Sequence, residues 1–395
     1  MGSSQHIASR VAPFALALGI AASAVAGAVP ARAATPATPA VLTPADAAKA
    51  GAGWVAAQVE AGGVGAGNLA DAIFTFAAAG VGATAAADAL TQLAAKTDAY
   101  AGYGDTLKPA EIAKILLAVR VAGGNPNAFA GHDLEADLRG LLVTSGADAG
   151  HFTGATVFGQ AMAILALAAT TDGVPAGAAA WFAGAKCADG SYPYDLGWCT
   201  PGLPDVDTTA IILQAFLAAG DAPDAADATA LIKSLQGAGG AFASWGTENT
   251  STSTAAAQAL RAAGETAAAD AAAAWTVSQQ YGCDAPSADQ GAFPWATASP
   301  GVLIYSTTQA VLGLGAPRLD LLHLGEADAD APMLVCAAGP APSDQGTGLP
   351  TPPPTDMAAA TQPAPPASVG LLLFGALLVS LIAVLALSRR AELRR

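Results

Sequence analysis

Two kinds of apolar segment alternate along the chain. Segments of the first kind, at 69–80, 110–124, 159–169, 208–220, 254–264 and 307–316, are apolar or small nearly all round. Segments of the second kind, near 45–60, 84–97, 133–146, 174–186, 223–236 and 265–280, keep one polar face. Thr, Ser or Asp opens several of the first kind and Gly closes several, which suits helix N-caps and C-caps. A helix that is apolar on every side must be buried, and one with a polar stripe lies outside it. No window shows a convincing period-two alternation, which predicts an all-α chain. Six inner and six outer helices, alternating in sequence, predict an all-α domain over 45–325 that closes into a two-layered α/α toroid.

Between these segments an aromatic residue recurs after a Gly-containing turn: Tyr103, Phe152, Tyr192, Phe242 and Phe293, at intervals of 49, 40, 50 and 51 residues. Self-similarity at one period marks a repeat architecture. In "QGAGGAF" Gln236 and Gly240 precede Phe242, and in "KCADGSY" Lys186 and Gly190 precede Tyr192. The rings are expected to wedge between successive helix pairs while the glutamine satisfies helix-terminal backbone groups. This spacing resembles the Gln-x-x-x-Gly-x-Trp repeat of squalene–hopene cyclases and the related repeats of protein prenyltransferases. The resemblance covers 50–316 and implies the toroid, but a fold does not by itself imply a chemistry.

The two ends carry other signals. Residues 1–33 combine Arg10 with a long apolar run and close on "ARA", the pattern of a cleaved export signal, and 34–44 form a linker. Residues 326–367 are rich in Pro and Ala, the composition of an extended stalk. Residues 368–388 include the uncharged run 369–387, long enough for a membrane-spanning helix. The basic tail at 389–395 is then cytoplasmic by the positive-inside rule. The expected arrangement is a cell-surface domain held in the membrane by one C-terminal helix.

Charge and cysteine content narrow the partners. With 31 Asp and Glu against 16 Lys and Arg, a net charge of −15 leaves no basic stripe, which excludes nucleic acid as a partner. The acidic excess is read as solubility. Four cysteines in an exported domain imply two disulfides: Cys187 with Cys199 across a short loop, leaving Cys283 with Cys336. His132, His151 and His323 are widely spaced, so no metal site is expected, and no motif requires a cofactor.

The stretch "PDVDTTAIILQAF" (204–216) carries the most chemistry. It starts the fourth inner segment, which places Asp205, Asp207 and Thr208 at one open end of the toroid. It resembles the Asp-x-Asp-Asp motif of squalene–hopene cyclases, which implies Asp207, with Asp205, as an alkene-protonating acid tuned by its surroundings. Thr208 stands where that motif has its last aspartate, and aromatic residues are only 6% of the sequence, few for lining a carbocation cavity. No Asp/Cys/His set matches the zinc site of prenyltransferases.

The same stretch is similar to the Val-Asp-Thr-x-Ala helix start in vitamin B12 carriers of the intrinsic factor and transcobalamin family, through Val206, Asp207, Thr208 and Ala210. "ENTSTSTAAAQAL" (248–260) and "FGQAMAILAL" (158–167) are similar to two further segments of that family. This resemblance implies a corrinoid such as cobalamin as ligand. Asp205, Asp207, Thr208, Gln160, Asn249 and Gln258 would hydrogen-bond its amide arms, for which neutral and acidic polar groups are suited. Nothing in 320–395 resembles the carriers' second, β-rich domain. A third class is a surface adaptor whose aromatics at 192–198 and 291–301 (Tyr194, Trp198, Trp295) hold a protein or envelope polymer. The sequence is read as a membrane-anchored binder, with a corrinoid as ligand for uptake and a transporter as receiving partner, and no catalytic residue is assigned. A degenerate cyclase-like or prenyltransferase-like enzyme and the adaptor are the alternatives.

Overall fold

The computed structural model describes residues 42–299 and 301–336. The expected export signal, most of the linker, the outer stalk from 337, the membrane helix and the tail lie outside these residues. Among the described residues there are twelve α-helices, three short 3-10 turns and one two-stranded hairpin, so the domain is all-α. None of the described helices is long and apolar enough to cross a membrane.

In chain order the helices are α1 (Pro44–Ala61), α2 (Ala66–Ala79), α3 (Ala83–Ala94), α4 (Thr97–Ala101), α5 (Pro109–Val121), α6 (Leu134–Gly140), α7 (Val157–Ala168), α8 (Val206–Ala219), α9 (Ala222–Ser234), α10 (Thr250–Ala262), α11 (Thr266–Ser278) and α12 (Leu303–Gly313). The helices that carry the nearly all-apolar or small-residue segments pack in sequence. α2 lies against α5, α5 against α7, α7 against α8, α8 against α10, α10 against α12, and α12 returns to α2, closing a ring. Small residues at the seams permit close approach. A Cβ on Gly313 of α12 would stand 2.3 Å from the Cβ of Thr254 on α10, and one on Gly51 of α1 would stand 2.9 Å from Val311 Cγ2. Outside the ring, α3, α6, α9 and α11 each cover the ring helix that precedes them, and α1 covers α12 and α2.

One expected outer helix does not form. The segment at 174–186 contributes only a 3-10 turn, Ala180–Gly184. Pro175, Gly177 and Gly184 interrupt its alanines, and Gly177 sits at φ +81°, a conformation that cannot continue a right-handed helix. The segment at 133–146 is likewise helical only over Leu134–Gly140.

The repeat turns make one joint several times. Phe152, Tyr192, Phe242 and Phe293 are buried. The backbone N–H of each donates to a side chain near the start of the next ring helix: Phe152 to Gln160 Oε1 (3.0 Å), Tyr192 to Thr209 Oγ1 (3.0 Å), Phe242 to Ser253 Oγ (2.9 Å) and Phe293 to Thr307 Oγ1 (2.9 Å). Gln236 Nε2 donates to Gly240 O (2.9 Å) and to Ala268 O of α11 (2.8 Å), tying the turn to the following outer helix. Gly240 at φ +92° lies so close to that helix that a Cβ would stand 2.5 Å from Ala271 O. The last turn makes the same joint to the first helix: Gln280 Nε2 donates to Gly291 O (2.8 Å) and to Ala47 O of α1 (2.9 Å).

Residues 326–336, expected in the stalk, belong to the domain. Asp328 N donates to Gly80 O (3.1 Å), and Ala83 N donates to Asp328 O (3.0 Å). The strap then crosses α1 at Gly53, where a Cβ would stand 2.2 Å from Pro332 O. A Pro/Ala-rich extended segment has no helix of its own to form, but it fits a helix face stripped to glycine. The disulfides are the expected Cys187–Cys199 and Cys283–Cys336, and the compact unit ends at Cys336.

Candidate functional site

The ring encloses a cavity of about 600 Å³ to which all six ring helices contribute, through side chains such as Phe74, Lys114, Met162, Ile211, Gln258 and Leu312. One end is sealed. Gln258 Nε2 donates to Pro317 O (2.7 Å), Leu319 N donates to Gln214 Oε1 (3.1 Å), and the two glutamines meet at 3.4 Å. These bonds hold the 317–322 segment as a floor. The other end, at the N-terminal ends of the ring helices, is the mouth.

Asp205, Asp207, Thr208 and Gln258 line this cavity. Asp205 caps α8: its Oδ1 accepts from Thr208 N (2.9 Å) and its Oδ2 from Thr208 Oγ1 (2.9 Å). Asp207 is half-buried, and its Oδ2 accepts from Thr252 Oγ1 (2.8 Å). Desolvation raises its pKa from 3.8 to about 6; the Thr252 hydrogen bond opposes the rise and the Asp205 charge adds to it.

Gln160 and Asn249 do not reach the cavity. Gln160 is fully buried, and its Nε2 donates to Gly150 O (2.7 Å) and Ala178 O (3.0 Å). The turn before Phe152 lacks a glutamine at the repeat position, and Gln160 supplies its bonds from the ring helix instead. Asn249 caps α10, with Oδ1 accepting from Thr252 N (2.9 Å) and Nδ2 donating to Thr247 O (3.1 Å). It acts on the cavity only through the placement of Thr252, which holds Asp207.

The remaining polar groups come from sequence-distant helices. Lys114 Nζ meets Asp71 Oδ2 at 2.7 Å on the wall, and Tyr100, Glu111, Tyr305 and Gln309 also face the cavity. Burial, then the charges of Asp207 and Asp71, raises the Tyr305 phenol to about 12. Burial with the charges of Asp71 and Glu111 pushes Tyr100 up as well, so both phenols stay protonated donors at neutral pH. The one sequence signal for Asp71 and Lys114 is a charged residue inside an otherwise apolar segment.

Aromatic and apolar side chains ring the mouth. Tyr194, Trp198, Leu203 and Trp245 line it and are between 43% and 75% exposed. The ring centroid of Tyr194 lies 5.9 Å from that of Phe158 and 6.1 Å from that of Trp198. Cys187–Cys199 closes the loop that carries Tyr194 and Trp198. Trp245 occupies the tip of the hairpin formed by Ala243–Ser244 and Thr247–Glu248, at φ +53° beside Gly246 at φ +78°. A tight hairpin turn requires such angles and normally fills them with Asn or Gly, so a tryptophan there is a conformational cost held at the cavity mouth. Trp295, expected with these rings, is half-buried.

No cluster of His, Cys, Asp and Glu among the described residues could hold a metal ion. No protein-family model matches the chain, and no curated protein matches it.

Proposed function

We propose that this protein is an α/α toroid of the prenyltransferase and squalene-cyclase repeat type that binds, rather than converts, a small ligand at the cell surface. A corrinoid such as cobalamin, captured for uptake and passed to a transporter, is the ligand class its sequence resembles most. The observation that carries the reading is that Asp205, Asp207 and Thr208 near the mouth and Gln258 at the floor line one cavity. A pocket of about 600 Å³ suits a drug-sized group. A corrin ring exceeds that, so it would lie across the mouth with an amide arm reaching Asp207, Tyr305 and Gln309 and its edges against Trp198 and Trp245.

Export and C-terminal anchoring are supported by the two disulfides, which belong to an oxidising compartment, and by the apolar run at 369–387. The cyclase alternative is weakened beside Asp207. Thr208 stands where the motif has its last aspartate, and its hydroxyl is committed to Asp205 Oδ2 at 2.9 Å. The adaptor alternative loses its flat surface, because Tyr194 and Trp198 line a concave mouth.

Titration of the full chain with cobalamin and cobinamide, followed by absorbance, tests the corrinoid. Saturable binding, weakened about tenfold or more by Asp207→Ala, a loss of about 1.4 kcal/mol, is expected. An unchanged spectrum would retire the corrinoid, and turnover of a polyprenyl substrate would restore the enzyme reading.

A further inference from the structure

The charges lining the cavity do not balance. Four carboxylates, from Asp71, Glu111, Asp205 and Asp207, face one cation, Lys114. Lys114 is committed to Asp71 at 2.7 Å. Asp205 is committed to the N–H and hydroxyl of Thr208, so the partial positive charge at the start of α8 is already met. Glu111 sits in the first turn of α5 and is offset in part by that helix end. Asp207, in the first turn of α8, keeps its own backbone N–H and a neutral hydroxyl, that of Thr252, but no cation.

Among the described residues, the groups that face Asp207 contain no free cation. Its own helix brings Asp205, α12 brings Tyr305, and across the lumen stand Asp71, Glu111 and the paired Lys114. α7 and α10 present Phe158, Met162 and Thr252 on this side, none of which titrates. Meanwhile Tyr100 lines the interior, and Tyr194, Trp198, Trp245 and Tyr305 the mouth. Aromatic faces attract cations through their quadrupole, and an unpaired carboxylate in a low-dielectric cavity attracts them through charge.

We propose that the cavity takes the positively charged end of an organic ammonium ligand, with Asp207 as counter-ion and the mouth's aromatic rings as walls. This rests on reading the cavity as a binding site but not on the corrinoid. Specificity then comes from a mismatch: a neutral or anionic end group would leave Asp207 and Glu111 uncompensated. Below pH 6, where Asp207 takes a proton, the counter-ion is lost and with it the preference for charge.

The test compares choline with 3,3-dimethylbutan-1-ol, which has the same shape with carbon in place of the charged nitrogen. Binding to the full chain is read from tryptophan fluorescence, since Trp198 and Trp245 stand at the mouth. Choline is expected to bind about tenfold tighter or more at pH 7.5 and to lose about tenfold per unit below pH 6. Asp207→Asn should remove both effects with helix content unchanged. Trp245→Ala, at an exposed hairpin tip where the fold has least to lose, should weaken choline at every pH. Equal binding of the two probes overturns the proposal. Saturable cobinamide binding with which choline does not compete also overturns it, but leaves the cavity as a binding site. If neither choline, its neutral analogue nor cobinamide binds, both readings fall.

Discussion

Asp207 is less stable ionised in the folded protein than in the unfolded chain, which gives its titration a defined sign. With the pKa near 3.8 unfolded and about 6 folded, the folded state holds the proton more tightly between those values. Stability from this group is present below pH 4, declines as pH rises to 6 and stays lost above it. At 1.36 kcal/mol per unit, the shift amounts to about 3 kcal/mol. Asp207→Asn keeps an acceptor for Thr252, so it should raise the urea unfolding free energy at pH 7.5 by up to that amount and change it little at pH 4. A variant no more stable at pH 7.5 would contradict this account. Gln160 predicts the opposite pattern. Gln160→Leu strips partners from Phe152 N–H, Gly150 O and Ala178 O at once, and should lower stability by about 3 kcal/mol at any pH without touching ligand affinity. The acidic pair of α8 was legible because it opens an apolar segment. Asp71, Lys114 and Tyr305 were not, because only ring closure brings residues so distant in sequence onto one lumen.

Ring helices and outer helices differ in how clearly they are written in the chain. The six ring segments appear where the apolar pattern puts them, since a helix surrounded by protein needs apolar, small or internally bonded side chains on every face, as the buried hydroxyls of Thr250, Ser253 and Thr254 in α10 are. The outer layer is less constrained, and at 174–186 proline and glycine overrule a run of alanines. The turns are constrained again, by glycine. Gly240→Ala would force φ +92° on an alanine and drive its Cβ to 2.5 Å from Ala271 O, so it should destabilise by about 2 kcal/mol or more. Gly239→Ala, one residue earlier with nothing within 4 Å, should stay within about 0.5 kcal/mol. Thermal denaturation of the two variants checks the contrast, and equal melting temperatures would mean that the turn does not touch α11 as described.

At the scale of the whole molecule, repeats stack as in an open solenoid but the array has no ends, because Gln280 and Gly291 join α1 as Gln236 and Gly240 join α11. Terminal capping repeats, which open arrays need, are therefore unnecessary. The closing seam is reinforced by Cys283–Cys336, which spans 53 residues where Cys187–Cys199 spans 12. On the chain-entropy argument, removing the longer bridge by Cys283→Ser with Cys336→Ser should lower stability by about 4 kcal/mol and removing the shorter one by about 3. Chemical denaturation of the two double variants would show whether that order holds. The longer bridge also fixes how the domain answers a mechanical pull. Tension arriving through the chain beyond Cys336 crosses the sulfur bridge directly to Cys283, so residues 284–335, including α12 and the cavity floor, carry none of it. With the bridge reduced, the same tension would run along the strap, lift Pro332 off Gly53 and then break the hydrogen bonds one at a time, from Asp330 back to Asp328, before any ring helix felt the load.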